Sequence, residues 1–83
     1  MKVIKCEKCE YQIPTIMHVN CRVMHYEKIE NKDFIELVCT LGVYCPTCGQ
    51  ESIFGITHYF NKEFSNMPAN YLRDIALCES GIV

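Results

Sequence analysis

The sequence predicts a small α+β fold: an antiparallel three-stranded sheet with one long hairpin, followed by a single C-terminal helix. Three observations predict it. Two stretches, 16–29 and 34–44, alternate apolar and polar residues with a period of two, the pattern of half-buried strands. A stripe of apolar residues at helical spacing (Leu72, Ile75 and Ala76, with Tyr71 and Cys78 beside it) lies near the C-terminus. Two Cys-x-x-Cys pairs, Cys6-Glu7-Lys8-Cys9 and Cys45-Pro46-Thr47-Cys48, bracket the hairpin.

The cysteine pairs carry the chemistry. At this spacing one tight turn aims two sulfurs at a single point. Four thiolates from two such turns make a tetrahedral site suited to zinc or, less often, to a single iron. Pro46 fixes φ after the first sulfur of the second pair. Gly49, after the second sulfur, lets the backbone turn back with its N–H groups facing sulfur. Cys6, Cys9, Cys45 and Cys48 are therefore the expected ligands of one ion, with zinc expected ahead of iron. A chain of 83 residues buries little surface, so the ion is expected to act as its staple. Its binding free energy becomes folding free energy, and the ion-free chain is expected to be loose or unfolded. Seven cysteines, an odd count, fit a disulfide framework poorly. No signal peptide or membrane-length apolar run is read from the sequence, and the expected compartment is the cytoplasm.

Taken in order, residues 2–5 form a short strand entering the first pair. Tyr11 to Pro14 leave it, with Pro14 interrupting any ladder. Over 16–29, one parity holds Met17, Val19, Cys21, Val23, His25 and Ile29. Over 34–44, Ile35, Leu37, Cys39, Leu41 and Val43 share one face. Both apolar parities are odd, so a three-residue loop at Asn31-Lys32-Asp33 is expected. It pairs Ile29 with Ile35, His25 with Cys39, Val23 with Leu41 and Cys21 with Val43, and sets Lys28 against Glu36. Ser52 to Phe60 read as a third strand, antiparallel beside the second, with Gly55 marking a bulge or close approach. Asn61 to Asn66 link onwards, Ser65 or Asn66 caps a helix within 66–80, Pro68 sits in its first turn, and Gly81 stops it. The expectation is one domain over 1–83, with the metal-stapled sheet over 1–60.

A knuckle, antiparallel strands and a second knuckle of the form Tyr44-Cys45-Pro46-Thr47-Cys48-Gly49 resemble the zinc-ribbon class. The resemblance rests on the four cysteines and the C-P-x-C-G turn, covers residues 3–60 and leaves the helix outside. The long hairpin fills the 35 residues between the knuckles. Glu10 stands where such a turn often has glycine, so the first knuckle is expected to be less regular than the second. Ribbons serve in transcription, ribosomes, adaptors and small regulators. The resemblance therefore implies a metal and leaves the function open.

Other chemistry-bearing residues read more plainly. Cys21 and Cys39 lie too far apart for a shared bond and are expected as small core residues, as is Cys78. His25 opposite Cys39 has no orienting acid for nucleophilic catalysis, and His18 and His58 have no ligand-spaced partner. Four protein sulfurs leave no open coordination position, so no enzymatic activity is expected. A net charge of −2 runs against a general nucleic-acid binder. The helix covers one sheet face. The other, carrying Met24, Tyr26, Val38 and Tyr44, is left as an apolar surface for another protein or a second copy, and free strand edges offer a further route to pairing. The expected function is a non-enzymatic structural-zinc domain that binds protein, as an adaptor, inhibitor or small regulator. The alternatives are a nucleic-acid-binding ribbon in transcription, with Lys2, Lys5, Lys8 and Arg22 as contacts, and a rubredoxin-like iron electron carrier.

Overall fold

The computed structural model describes residues 2–82; Met1 and Val83, the ends of the expected 1–83 domain, lie outside them. Its elements are β1 (Val3–Lys5), β2 (Gln12–Pro14), β3 (Cys21–Glu30), β4 (Phe34–Tyr44), β5 (Glu51–Asn61), a 3-10 helix (Lys62–Asn66) and α1 (Ala69–Glu79). The three long strands form an antiparallel sheet in the order β3-β4-β5, and β1 and β2 form a separate two-stranded sheet. Pro14 does not prevent that small sheet; it occupies the terminal pair, opposite Val3.

The core is built on β4. Ile35, Leu37, Cys39, Leu41 and Val43 alternate along it and are fully buried. Each large apolar side chain so placed contributes roughly 1.5–3 kcal/mol relative to exposure. α1 packs over β3 and β4 and supplies Leu72, Ala76 and Leu77, while Ile56 and Phe60 come from β5 and Ile13 from β2. The stop at Gly81 is a Schellman closure. Gly81 has φ +82°, its N–H donates to the Cys78 carbonyl, and the Ile82 N–H donates to the Leu77 carbonyl. The start differs from expectation. Neither Ser65 nor Asn66 caps α1; the segment before it winds into the 3-10 helix, whose cap is Asn61, with its side chain accepting from the Glu63 N–H. Pro68 takes the cap position of α1, where no side chain bonds back. Cys78 is exposed, not in the core as expected, because the buried stripe runs through Leu72, Ala76 and Leu77.

The hairpin register is half as expected. Cys21, Arg22 and Val23 face Val43, Gly42 and Leu41 as predicted, but a β-bulge between Val23 and His25 shifts the rest by one. His25 therefore faces Thr40, Tyr26 faces Cys39, Lys28 faces Leu37 and Ile29 faces Glu36. The Asn31 N–H donates to the Phe34 carbonyl, so the loop is the two residues Lys32-Asp33. A two-residue loop sets opposite parities against each other, and the bulge at Met24 absorbs the odd residue. Beyond it the even residues of β3 turn toward the helix. Tyr26 lies under the Arg73 guanidinium, 4.9 Å from its ring centre, instead of on the open face. Lys28 donates to the carbonyls of Ser65 and Met67 at the exit of the 3-10 helix, replacing the expected pair with Glu36.

β3 also begins five residues later than the alternation predicts. Residues 16–20 form a tight loop in which the Ile16 carbonyl receives the N–H groups of Val19, Asn20 and Cys21, and His18 takes φ +67°. Asn20 clamps it: its side chain accepts from the Ile16 N–H and donates to the Pro14 carbonyl, and its own carbonyl accepts from the Tyr44 N–H.

On the face of the sheet away from α1, Met24, Phe34, Tyr44, Ile53 and Tyr59 are all exposed, and Phe34 and Tyr59 meet edge-on at 5.5 Å. The molecule is elongated, 43 × 18 × 18 Å. The second cysteine pair lies at one end of β4 and the hairpin loop at the other, roughly 35 Å away at about 3.3 Å per residue.

Candidate metal centre

The first knuckle follows β1 directly and the second joins β4 to β5. Both close with the same two hydrogen bonds. In the first, the Cys6 N–H donates to the Tyr11 carbonyl (2.8 Å) and the Glu10 N–H to the Cys6 carbonyl (2.9 Å). In the second, the Cys45 N–H donates to the Gln50 carbonyl (2.9 Å) and the Gly49 N–H to the Cys45 carbonyl (2.9 Å). The turn needs a left-handed residue after its second sulfur. Gly49 supplies it at φ +79° and Glu10 at φ +63°. The first knuckle is therefore as regular as the second, against expectation, and Glu10 carries the steric cost of that conformation.

The structure brings the four expected cysteines together: their Sγ atoms all lie within 4.8 Å of one another. Cys6 and Cys48 approach to 3.6 Å and Cys9 and Cys45 to 3.5 Å, each contact joining one knuckle to the other. A tetrahedron with metal–sulfur bonds of about 2.3 Å has edges of about 3.8 Å. The observed spacing fits an ion at the centre. Cys6 and Cys45 are buried, Cys9 is exposed and Cys48 is half-buried, so the cluster sits at the surface with its first sulfurs inward.

The thiols differ in acidity. The backbone N–H of Cys9 holds the Cys6 thiol below its ordinary value, against a smaller opposing effect of burial. Burial pushes Cys45 up, but the N–H groups of Cys48 and Thr47 and the neighbouring thiols outweigh it and bring it down to about 6. At Cys9 the Tyr11 N–H pulls down, but burial and the hydrogen bonds with Cys45, Cys6 and Cys48 together push it up to about 12. One thiolate is thus ready at neutral pH and another is left protonated until an ion replaces the proton.

A scan against protein-family models, a search of curated proteins and a search of solved structures find no match. The four-cysteine cluster is consistent with the zinc-ribbon class.

The histidines lie apart from one another, as do the other buried cysteines. His25 is exposed opposite Thr40, so no Cys39–His25 dyad forms. His18 lies in the 16–20 loop, and His58 packs edge-on to Phe60 at 4.8 Å. Cys21 and Cys39 are buried, and burial pushes both thiols up. No other group of three or more His, Cys, Asp or Glu side chains converges among the described residues. Of the four basic residues considered as nucleic-acid contacts, Lys5 pairs with Glu10 at 3.2 Å and Arg22 with Glu51 at 3.0 Å. Among the described residues no helix is long and apolar enough to cross a membrane. Sequence reasoning missed Asn20, whose carbonyl fixes the residue preceding Cys45. An Asn at the end of a short segment before a strand was the available signal.

Proposed function

We propose that this chain is a non-enzymatic structural-zinc domain that works by binding protein, as an adaptor, inhibitor or small regulator. The observation that carries the reading is the convergence of four cysteine sulfurs from two matched knuckles. Four protein ligands complete a tetrahedral shell, and a complete shell holds structure without offering a position for substrate. Cys6 and Cys9 would anchor the β1–β2 sheet to the ion, and Cys45 and Cys48 the β4–β5 turn. The exposed Met24, Phe34, Tyr44, Ile53 and Tyr59 support the protein-binding part, because all five lie on the one sheet face that α1 leaves uncovered, Phe34 and Tyr59 toward the hairpin loop and the others toward the second knuckle. The pairing of Lys5 and Arg22 with carboxylates weighs against nucleic acid as the partner. The acidic balance and the absence of a basic stripe weigh the same way.

The test is metal content and a visible spectrum of chain purified without added metal, together with capture of a co-purifying protein by wild type and by Tyr44→Glu. The reading expects one zinc per chain, no colour, and a specific protein that Tyr44→Glu releases without losing zinc. One iron with thiolate charge-transfer bands would move the reading to electron transfer. Steeply salt-dependent binding to DNA or RNA would move it to nucleic acid.

A further inference from the structure

The two edges of the β3-β4-β5 sheet are treated differently. The β3 edge is defended in three ways. It carries Arg22, Glu27, Lys28 and Glu30, it is bent by the bulge at Met24, and the 16–20 loop closes on its first residue, where the His18 N–H donates to the Cys21 carbonyl. Charges, bulges and covering loops are how proteins keep sheet edges from pairing. Beyond its first residue, Glu51, the β5 edge has none of these. Residues 52–60, Ser-Ile-Phe-Gly-Ile-Thr-His-Tyr-Phe, contain no Lys, Arg, Asp, Glu or Pro, and they pair with β4 without a register break. α1 lies over β3 and β4, leaving Phe54 and His58 only half-buried on the helix side of β5. On the other side Ile53 and Tyr59 are 62% and 61% exposed.

The hydrogen-bond phase of the sheet says which groups are free. The Cys45 N–H donates to the Gln50 carbonyl beside the Tyr44–Glu51 pair, so the bonded pairs between β4 and β5 involve odd residues of β4 and even residues of β5. On the other side the Asn31 N–H to Phe34 carbonyl bond gives the even residues of β4 to β3, in agreement. The N–H and C=O groups of Ile53, Gly55, Thr57 and Tyr59 therefore point outward. Among the described residues none of them makes a backbone hydrogen bond outside the β4 ladder.

We propose that β5 pairs antiparallel with β5 of a second copy of this chain, across a two-fold axis at Ile56, so that two three-stranded sheets become one of six. The proposal rests on the protein-binding reading and gives the β5 edge, which Tyr44 does not line, a partner of its own. A two-fold axis normal to the sheet keeps both helices on the same face, so paired residues must share parity. Ile56 is the midpoint of the uncharged stretch, and only a register centred there pairs the whole stretch with itself. In that register Ile53 meets Tyr59 of the other copy and Gly55 meets Thr57, and these are the residues whose backbone groups are free. Phe54 meets His58 on the helix side, where each copy lacks cover. A slip by two residues brings Glu51 or Lys62 opposite the stretch. The chain is acidic overall, yet the seam carries no charge, so like copies meet there without repulsion.

The experiment is sedimentation of the full chain, purified without added metal, over a range of concentrations, for wild type, Thr57→Pro, Ile53→Lys, Tyr59→Glu and the double variant Ile53→Lys/Tyr59→Glu. Thr57, Ile53 and Tyr59 are exposed, and the Thr57 N–H lies outside the β4 ladder, so the monomer fold tolerates these changes. Circular dichroism checks that it does. Wild type is expected at twice the 9.6 kDa chain mass, the three single variants at the chain mass, and the double variant restored to the dimer. Restoration is specific to the Ile56 register, because only there does the introduced lysine face the introduced glutamate. A wild type that stays monomeric at every concentration overturns the proposal, as does a dimer that survives Thr57→Pro. Metal content of the same samples separates the two readings. A metal-loaded monomer sinks the seam and leaves the centre; an ion-free dimer that Thr57→Pro dissolves does the reverse.

Discussion

The two knuckles are the same turn made with different residues, and that permits a matched pair of substitutions. Glu10 at φ +63° pays the left-handed penalty of a side-chain-bearing residue, roughly 1–2 kcal/mol. Glu10→Gly removes it but gives the unfolded chain more freedom, worth about 0.5–1 kcal/mol in the other direction. The Lys5–Glu10 pair is lost as well, but its partners are 62% and 75% exposed and contribute little. The net expectation is a gain of about 0.5–1 kcal/mol. Gly49→Ala runs the same balance backwards. A Cβ on Gly49 meets nothing within 4 Å, so the substitution causes no clash and its cost is conformational alone, about 1 kcal/mol. The assay is thermal and urea unfolding at a fixed buffered free-metal concentration, so that mass action on the ion is the same for every variant. For a domain of this size, about 1 kcal/mol moves Tm by about 4–8 °C. Glu10→Gly should therefore melt higher and Gly49→Ala lower. If Glu10→Gly lowers Tm while metal stoichiometry is unchanged, the equivalence of the two turns is wrong.

Three further outcomes follow from the packing and the thiols. Asn20→Ala should lower stability by about 1–3 kcal/mol in urea unfolding, because the Ile16 N–H and the Pro14 carbonyl lose their partner. Asn20→Asp, which keeps the acceptor but sets a carboxylate oxygen against the Pro14 carbonyl, should not recover that loss. Leu41→Ala, at a fully buried position in the middle of β4, should cost about 2–5 kcal/mol by the same measurement. Metal affinity, measured by competition with a chelator, should rise with pH through neutrality. Cys45 at about 6 is already a thiolate there, but Cys9 at about 12 must give up its proton to bind. Each proton released corresponds to about a tenfold change in affinity per pH unit. A flat profile between pH 6.5 and 8.5 would contradict the assigned proton.

How legible these features were in the sequence depended on the range of the constraint. The convergence of Cys6, Cys9, Cys45 and Cys48 was legible because ligand spacing within a turn is a local matter, independent of how the rest packs. The stop at Gly81 was legible for the same reason. The Met24 bulge was not, because it is a compromise between two distant demands: Cys21 and Val23 face inward on odd positions, Tyr26 and Lys28 on even ones, and no single residue announces the change. The trace it leaves is the loss of clean alternation after Val23. The 16–20 loop was misread as strand because its turn uses His18 at positive φ with no glycine to mark it. Glu10 hid the regularity of the first knuckle in the same way. The start of α1 was misplaced because Ser65 and Asn66, good caps by composition, are used up in the 3-10 helix.

The placement of the sulfur cluster gives the molecule a chemical polarity. On the proposed reading, the end of β4 next to Cys45 and Cys48 would depend on an ion, and so would answer to pH, chelators and oxidants. The other end, where Phe34 meets Tyr59 beside the Lys32-Asp33 loop, is held by packing and by the hydrogen bonds of Asn31 with Glu36 and Lys62, and needs no ion. Stripping the metal should therefore act as a directional injury, loosening the chain from the knuckles inward while the far end keeps its shape longest. A partner that grips the far end would feel the loss of the ion last, and one that grips near Tyr44 would feel it first.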